Sequence, residues 1–552
     1  MTAWRWAVVA VLGLLLAPPL VQPFVELITH WPGLGPWTES GRLLSLAWNS
    51  LLLIAGTVAV ALPLGIAGAV LLFRTDLPCR RTLQFLAVLF LFVPLPLLTS
   101  AWQAALGTGG WLPVVLWQIE PGRPWTQGLG PAIWLHGLAA IPWVVLLVGQ
   151  GLCWVEGELE EEALLVVHPL KVLWFVTLPR CRATILAATV WVALQTAGEI
   201  TVVYMMQVPT FAEQVHTQFT QGTNPLAEAL VLTLPGVVFA GLAVGFIVPR
   251  LEKKLPPLAS MLVPPRLFVL GRARWPMVLA VVFVVGFLAV IPVCSLVWKT
   301  GLHGAPREWS AAFAWEKFST TFALHGGQVG ASLLWAAGTG VACAGLSLFC
   351  SWVGRESRRL RFGLVALTVL AAVLPGPVIG LGLKGIIDVA VFLFPNTIVE
   401  QTLYVGPSSV PGMWAQVLRF FPYALLLVWP VVRLIPREFF DLVRVEGGRP
   451  IQEFTHVVWP LAYRAALWTA VLATALSLSE VAATVRVETP GTESFSKLIF
   501  DRMHYGVDND VAALCLVLLA WGLLAVPVIG VVHWFCRRTR ETHAKHTGDE
   551  SC

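Results

Sequence analysis

The sequence has few charged residues, and this scarcity excludes most soluble classes of protein. Only 12% of its 552 residues are Asp, Glu, Lys or Arg, whereas about 25% is usual for a soluble protein. Apolar residues make up 57% of the chain, so a soluble fold could not cover its surface with polar groups. A secreted soluble enzyme and a nucleic-acid-binding protein are thereby excluded, and we expect an all-α, polytopic membrane protein.

Sequence motifs of nucleotide, metal and hydrolase sites are also missing. The chain contains no GxxxxGK[ST], HExxH or GxSxG motif. Its nine cysteines form no CxxC pair, and most lie inside apolar runs, where they are interpreted as small apolar residues of helices. The sequence therefore predicts no catalytic residue, no metal site and no bound cofactor.

Twelve apolar stretches have about the 20 residues that a helix needs to span a bilayer. They cover approximately 6–28, 46–73, 83–106, 131–153, 183–206, 227–249, 276–298, 328–353, 363–383, 412–434, 464–485 and 511–535. The first could be a signal peptide, since Arg5 precedes an apolar run. Pro18 and Pro19 stand where small cleavage-site residues are needed, which favours a retained helix.

Clusters of basic residues follow the second, sixth, eighth and twelfth stretches. Short loops rich in Lys and Arg stay on the cytoplasmic side, so we expect a multi-pass protein of the cell (inner) membrane with both termini in the cytoplasm. The basic residues are Arg74, Arg80, Arg81, Arg250, Lys253, Lys254, Arg266, Arg272, Arg274, Arg355, Arg358, Arg359, Arg361, Arg537, Arg538, Arg540 and Lys545.

A tandem repeat runs through the chain at an offset of 280 to 282 residues. The matched pairs include Ser50 and Ser332, Thr57 and Thr339, Pro94 and Pro375, Pro96 and Pro377, Pro142 and Pro422, Pro179 and Pro460, and Glu199 and Glu480. We interpret residues 1–250 and 276–535 as two parallel six-helix repeats, with a translocation path between them. The basic, Pro-rich segment 251–275 is interpreted as a cytoplasmic linker and 536–552 as a cytoplasmic tail.

Two long cytoplasmic segments lie at matching places in the repeats: loop 1 (residues 158–180) and loop 2 (residues 437–461). Each is amphipathic and ends in an aromatic residue, aliphatic residues and a proline. This pattern predicts a short helix, a turn and a second helix, with Gly447-Gly448 at the turn of loop 2 and His168-Pro169 near that of loop 1. Such a hairpin on the cytoplasmic face would be a docking surface for a soluble partner.

Loop 2 resembles the EAA loop of ABC-transporter permeases, whose pattern is Glu-Ala-Ala, three residues, Gly, nine residues and Ile-x-Leu-Pro. Counting back from Pro460 places Asp441 and Gly447 in register with that pattern. Loop 1 departs from it: Glu161 and Glu162 replace the alanines, and Val166 replaces the glycine. The docking residues that the resemblance implies are Glu160, Glu161, Glu162, Pro169, Pro179, Asp441, Glu446, Gly447, Gly448, Pro450, Phe454 and Pro460.

Residues 49–78 and 477–514 are similar to the fused ferric-iron permeases of binding-protein-dependent importers. The resemblance implies a permease subunit in the bilayer that forms the translocation path. Two copies of an ABC ATPase would bind ATP and dock on the loops, and an extracytoplasmic binding protein would deliver ferric iron. Thiamine permeases share the fused architecture, and related permeases carry phosphonate, sulfate or polyamines. This chain would not itself be an enzyme.

Glu199 and Glu480 are two ionisable residues at matching positions, twenty residues after Pro179 and Pro460. One interpretation is a pair that lines or gates the path, because ionisable groups at membrane depth usually face a cavity or a partner. The other is that each caps a broken helix or pairs with Arg486 or a backbone amide.

Two other classes of protein compete with the importer. An ion-coupled secondary transporter also uses duplicated six-helix halves, but it needs no docking loops and favours more paired charges at mid-membrane. A membrane-embedded enzyme would need a cluster of Asp, Glu or His near one interface, which the sequence does not show.

Overall fold

A computed structural model describes residues 3–31, 33, 40–107, 111, 127–221, 225–252, 267–304, 308–504, 509–523, 527 and 530–531. Across these ranges the chain is helical, and the only sheet there is a two-stranded antiparallel ribbon, β1 (Leu302–His303) with β2 (Glu308–Trp309). This confirms the all-α class. Most of the predicted linker at 251–275 and all of the predicted tail at 536–552 lie outside the described residues.

The N-terminal part of the chain supplies the first nine helices. They are α1 (Ala3–Thr29), α2 (Ser40–Arg74), α3 (Arg80–Phe90), α4 (Leu95–Leu106), α5 (Leu129–Leu152), α6 (Gly157–Leu164), α7 (Arg182–Ala197), α8 (Phe211–Gln221) and α9 (Pro225–Glu252). Short helical segments at Pro169–Val172, Leu173–Thr177 and Leu178–Arg180 lead into α7, and Thr201–Met205 follows it.

The C-terminal part continues the series. It contains α10 (Arg274–Gly301), α11 (Ala311–Glu356), α12 (Arg358–Val373), α13 (Gly376–Leu393), α14 (Val410–Leu434), α15 (Arg437–Val445), α16 (Trp459–Ser479), α17 (Phe495–His504) and α18 (Asn509–Leu523). Short segments at Gly271–Ala273, Ile398–Glu400, Gln401–Val405, Pro450–Glu453 and Phe454–Val458 connect them.

Seven helical stretches within the described ranges are long and apolar enough to cross a membrane. They contain α2, α5, α10, α11, α13, α14 and α16. Two bent pairs would raise the number to nine: α3 with α4, which meet at 98°, and Pro169–Arg180 with α7, which meet at 65°. Shorter apolar helices cover Gly13–Thr29, Ala227–Leu242 and Asn509–Leu523. The chain therefore has the helices of a multi-pass membrane protein.

Prolines divide two stretches for which the sequence predicts single helices, 83–106 and 363–383. The first is broken between Phe90 and Leu95, and the second between Val373 and Gly376. Pro94 and Pro375 stand immediately before the new helices in extended conformation. A proline donates no backbone hydrogen bond and disfavours helical dihedrals in the residue before it, which explains both breaks.

Three other predicted spans have different ends in the structure. The stretches 183–206 and 464–485 stop being continuous helices at Ala197 and Ser479, just before the two glutamates. Conversely, α11 starts at Ala311, well before the predicted residue 328, with the Ser310 side chain accepting a hydrogen bond from the Phe313 amide at 3.4 Å. At about 1.5 Å per residue, α11 is about 69 Å long and reaches far beyond a bilayer core of about 30 Å.

Two groups of three helices form the centre of the molecule. In the N-terminal part α2, α5 and α7 pack against one another, and in the C-terminal part α11, α14 and α16 do the same. Small residues allow the close crossings that hold helices together in lipid. At Gly340 in α11, for example, a Cβ atom would lie 2.4 Å from the Ala470 carbonyl oxygen of α16.

The outer helices cross from one part of the chain to the other. The N-terminal helix α1 packs against α13 of the C-terminal part, where the Pro19 carbonyl lies against Gly382. Helix α10 in turn packs against α4 of the N-terminal part, and Phe287 and Trp102 have ring centroids 5.4 Å apart. These exchanges join the two parts by apolar contact.

Candidate docking loops and buried carboxylates

Both loops have the form of a helix, a turn and a second helix. In loop 1, α6 ends at Leu164, and a helical segment resumes at Pro169. In loop 2, α15 ends at Val445, and a helical segment resumes at Pro450. Each second helix contains a five-residue π-helical stretch, Leu173–Thr177 in loop 1 and Phe454–Val458 in loop 2. The two stretches begin 281 residues apart, the offset of the sequence repeat.

Loop 1 is attached to the helix bundle by a fully buried ion pair. Glu160 in α6 pairs with Arg74, the last residue of α2, and both side chains are 0% exposed. The Thr177 hydroxyl donates a hydrogen bond to the other Glu160 carboxylate oxygen at 2.6 Å. Arg74 Nη1 also donates to the Leu152 carbonyl at 3.0 Å, which ties the same cluster to the end of α5.

This burial changes the role of Glu160. The sequence places Glu160 among the residues that contact a partner, but the structure places its carboxylate inside, beneath the loop surface. A buried ion pair that loses one member leaves an uncompensated charge, so Glu160 is a residue that holds loop 1 in place. Arg74, which the sequence analysis treats only as an orientation signal, is the other half of that attachment.

Loop 2 is attached through Arg444, with the charges reversed. Arg444 in α15 pairs with Glu356, the last residue of α11, and with Glu453 in the second helix of the loop at 2.8 Å. Asp441 lies 3.6 Å from the same guanidinium group. The hydrogen bond to Glu453 raises the pKa of Arg444 above its ordinary value, although burial acts in the opposite direction. The side chain is 45% exposed, so water screens these pairs.

The turn of loop 2 depends on its two glycines. Gly447 has φ +74°, which a side chain disfavours, and it faces open space. At Gly448 an added Cβ atom would lie 2.5 Å from Val443 Cγ1, so the second helix folds back closely on the first. Val166, at the matching place in loop 1, is not among the described residues with positive φ. The two turns therefore differ in backbone conformation.

Apolar side chains stand out into solvent on both loops. Large exposed apolar side chains are unusual on a free soluble surface and mark an interaction site. In loop 1 they are Leu165, Val166, Leu170, Trp174 and Phe175, and in loop 2 they are Phe439, Leu442, Val445 and Ile451. Of the implied docking residues, Glu161, Glu162, Pro169, Pro179, Asp441, Glu446, Gly447 and Pro460 are exposed, whereas Gly448, Pro450 and Phe454 are half-buried.

Glu199 and Glu480 cap the breaks in the two helices that follow the loops. The Glu199 carboxylate accepts hydrogen bonds from the amides of Thr201 at 2.7 Å and Val202 at 2.8 Å. The Glu480 carboxylate accepts one from the Ala483 amide at 2.7 Å. The capping interpretation is therefore observed at both positions.

The charged partner of Glu480 is Arg419, a residue that the sequence analysis overlooks because it stands alone in an apolar stretch. Arg419 Nε lies 3.9 Å from a Glu480 carboxylate oxygen, whereas the sequence suggests Arg486 as a partner. His136 Nε2 lies 3.7 Å from a Glu199 carboxylate oxygen. Within the described ranges no group of three His, Cys, Asp or Glu side chains is arranged to hold a metal ion.

Compared with known proteins, the chain matches no family model, and no curated protein shows significant similarity to it. The resemblance to ABC-transporter permeases consequently depends on the residues of the loops and on the architecture around them.

Proposed function

We propose that the chain is the transmembrane permease subunit of an ATP-driven ABC importer. It would form the translocation path, while two ABC ATPase subunits bind and hydrolyse ATP and dock on loops 1 and 2. The observation that carries this proposal is the pair of helix–turn–helix loops, each tied to the end of a long central helix and each bearing exposed apolar side chains.

The geometry also supports an arrangement of twelve spans in two parallel repeats. The seven long helical stretches, two bent pairs and three shorter apolar helices fall on the twelve apolar stretches of the sequence. Two hydrogen bonds recur at the repeat offset: the Phe211 amide donates to Ser50 Oγ at 3.1 Å, and the Phe495 amide donates to Ser332 Oγ at 3.0 Å. The helix breaks at Pro94 and Pro375 recur in the same way.

The attachment of the loops suggests how force would pass into the membrane. Arg74 ends α2, and Glu356 ends α11, so movement of a loop would act directly on a central helix of each part. Packed helices transmit such movement as rigid bodies. Closure of the two ATPase subunits would thereby rock the two parts against each other.

The remaining features of the proposal follow the resemblance in the loops. The permease would lie in the cell (inner) membrane with both termini in the cytoplasm, and an extracytoplasmic binding protein would deliver the substrate. We propose ferric iron as that substrate; thiamine, phosphonate, sulfate and polyamines are the alternatives. The permease itself would need neither a cofactor nor a metal site, because the binding protein selects the cargo.

A specific observation favours a second candidate, an ion-coupled secondary transporter. Glu199, Glu480, Arg419 and His136 form a buried ionisable cluster at membrane depth, and such clusters often mark ion pathways. That class of transporter would leave the exposed apolar side chains of the two loops without a partner.

Co-purification with a candidate ABC ATPase distinguishes the two functions. The full chain is co-expressed with the ATPase, extracted in detergent, and the bound ATPase is quantified. We expect wild type to retain the ATPase and Gly447→Arg to lose it, because the substitution adds bulk and strain at an exposed turn. Gly271→Arg is the matched control, since Gly271 also has positive φ and open space but lies outside both loops.

Either of two results would contradict the importer. The first is that wild type retains no candidate ATPase, in which case transport driven by an ion gradient is the function to test. The second is that Gly271→Arg releases the ATPase as fully as Gly447→Arg, which would show that the loss is not a property of loop 2.

A further inference from the structure

Arg419 lies where the N-terminal and C-terminal parts of the bundle meet at membrane depth. It belongs to α14, and 15 residues separate it from Leu434 at the end of that helix, a distance of about 22 Å along the axis. Its side chain is only 8% exposed. A buried arginine in an apolar helix is costly unless it has a function or a partner.

The guanidinium group of Arg419 touches the ends of three other helices. Nη1 donates a hydrogen bond to the Leu374 carbonyl at 2.9 Å, just after α12. Nε faces Glu480, just after α16, at 3.9 Å. Nη2 faces Gly198, just after α7 of the other part, where an added Cβ atom would lie 3.1 Å away. Gly198 thus leaves room for the arginine to close against the opposite part of the bundle.

An aromatic layer lies one helical turn further along α14. Tyr423 meets Trp191 of α7 edge-on with ring centroids 4.5 Å apart, and Trp191 meets Trp143 of α5 at 4.9 Å. The Tyr423 hydroxyl and the Trp191 ring nitrogen are buried without a hydrogen-bond partner in the structure. The two parts of the bundle are therefore in contact through an ionic layer and an adjacent aromatic layer.

The two carboxylates beside Arg419 do not depend on it for their position. Glu199 is held by the amides of Thr201 and Val202, and Glu480 is held by the amide of Ala483. Each charge is close enough to act on the other. If the guanidinium moved away, two anchored carboxylates would remain with the neighbouring His136, an arrangement that attracts a cation and repels an anion.

We propose that Arg419 is the latch of the permeation path and that the cargo passes it as a cation. In the closed state the guanidinium occupies the space between the end of α7 and the end of α16. When the two parts separate, the latch leaves Gly198, and a cationic cargo takes its place near Glu199 and Glu480. This inference rests on the transport function proposed above and adds a residue and a charge class to it.

The test measures ion leakage through the full chain reconstituted in liposomes without an ATPase. Thallium(I) influx reports cations, and iodide efflux reports anions. We expect wild type to be tight and Arg419→Gln to pass thallium at least tenfold faster, with iodide unchanged. Arg419→Lys keeps the charge and should leak less than Arg419→Gln. Arg182→Gln is the matched control, because Arg182 is exposed at the other end of α7.

Gly198→Leu approaches the latch from the opposite part of the bundle and should also leak thallium, since its side chain would displace the guanidinium. Gel filtration and thermal unfolding of each variant show that the protein is folded. The latch is refuted if folded Arg419→Gln and Gly198→Leu are both as tight as wild type. The cationic cargo is refuted if iodide leaks as fast as thallium. The role of the charge is refuted if Arg419→Lys leaks as much as Arg419→Gln.

The same preparations separate this inference from the importer itself. ATPase binding is measured on each variant before reconstitution. Leakage in Arg419→Gln with no ATPase bound to wild type would support the latch and contradict the importer. Tight Arg419→Gln vesicles with ATPase bound to wild type would do the reverse.

Discussion

Loops 1 and 2 have the same backbone form, but they are attached to the bundle by charges of opposite sign. In loop 1 the loop supplies a carboxylate, Glu160, and the central helix supplies Arg74. In loop 2 the loop supplies Arg444, and the central helix supplies Glu356. Arg74 and Glu356 each end a long helix, 282 residues apart in the sequence. The comparison shows that the place of attachment recurs while the chemistry of the pair does not.

Burial separates the two attachments further. The pair in loop 1 is wholly shielded from water, whereas Arg444 is nearly half exposed. A shielded pair is costly to break, because removal of one member strands a charge, whereas an exposed pair contributes little. We therefore interpret loop 1 as the more rigidly held of the two and loop 2 as held by its turn as much as by its charges.

The largest effect is expected from Glu160→Ala. The substitution leaves the Arg74 charge buried without its partner and should reduce the free energy of unfolding by about 3–5 kcal/mol. The measurement is unfolding of the purified chain in detergent, by denaturant or by heat. Glu161→Ala is the control, because the next residue is exposed. Equal stability of Glu160→Ala and wild type would contradict the buried attachment.

The turns should differ by a smaller amount. Gly447→Val forces a branched side chain into φ +74° and should cost about 1–2 kcal/mol. The reverse exchange in loop 1, Val166→Gly, relieves no such conformation and should change stability by less than about 1 kcal/mol. Unfolding of both variants under the same conditions tests the pair. A loss in Val166→Gly as large as that in Gly447→Val would show that the turns are equivalent.

A still smaller change is expected from Arg444→Gln. Its exposed ion pairs should contribute no more than about 1 kcal/mol, and the difference from wild type should shrink in high salt. The raised pKa means that the folded state favours the charged form. Its contribution is therefore present below the ordinary arginine range and should stay constant between about pH 5 and 9. A salt-independent loss as large as that of Glu160→Ala would contradict this distinction.

The smallest effect on folding is expected from Glu161→Ala combined with Glu162→Ala. Both side chains are exposed, so stability should stay within about 0.5 kcal/mol of wild type. Bound ATPase in the co-purification assay then reports docking on loop 1 alone. Unchanged binding would remove both residues from the docking surface and leave its exposed apolar side chains as the contact.

Particular residues show how far the sequence could be interpreted. The sequence correctly indicated an all-α membrane protein, because apolar runs of sufficient length need no knowledge of neighbours. The positive φ at Gly447 also followed from local sequence, since glycine adopts that conformation at little cost. The breaks at Pro94 and Pro375 were within reach of the same local rules, and the predicted spans were wrong there because hydropathy outweighed the prolines.

Long-range pairs were beyond the sequence. Glu160 and Arg74 are 86 residues apart, and Arg444 and Glu356 are 88 apart, so no local pattern marks them as partners. Likewise, Arg419 is one arginine among many until α14 meets the end of α7.

The sequence by itself determined the helical class, the apolar lengths that suit a membrane and the turn chemistry of loop 2, because each depends on neighbouring residues and on transfer of side chains from water to lipid. The tertiary structure decided which charges are buried and with what partner. It turned Glu160 from a surface residue into an internal attachment and brought Arg419 beside Glu480 and Gly198. The physical reason is that the free energy of a charge depends on its surroundings, and packing of distant helices sets those surroundings.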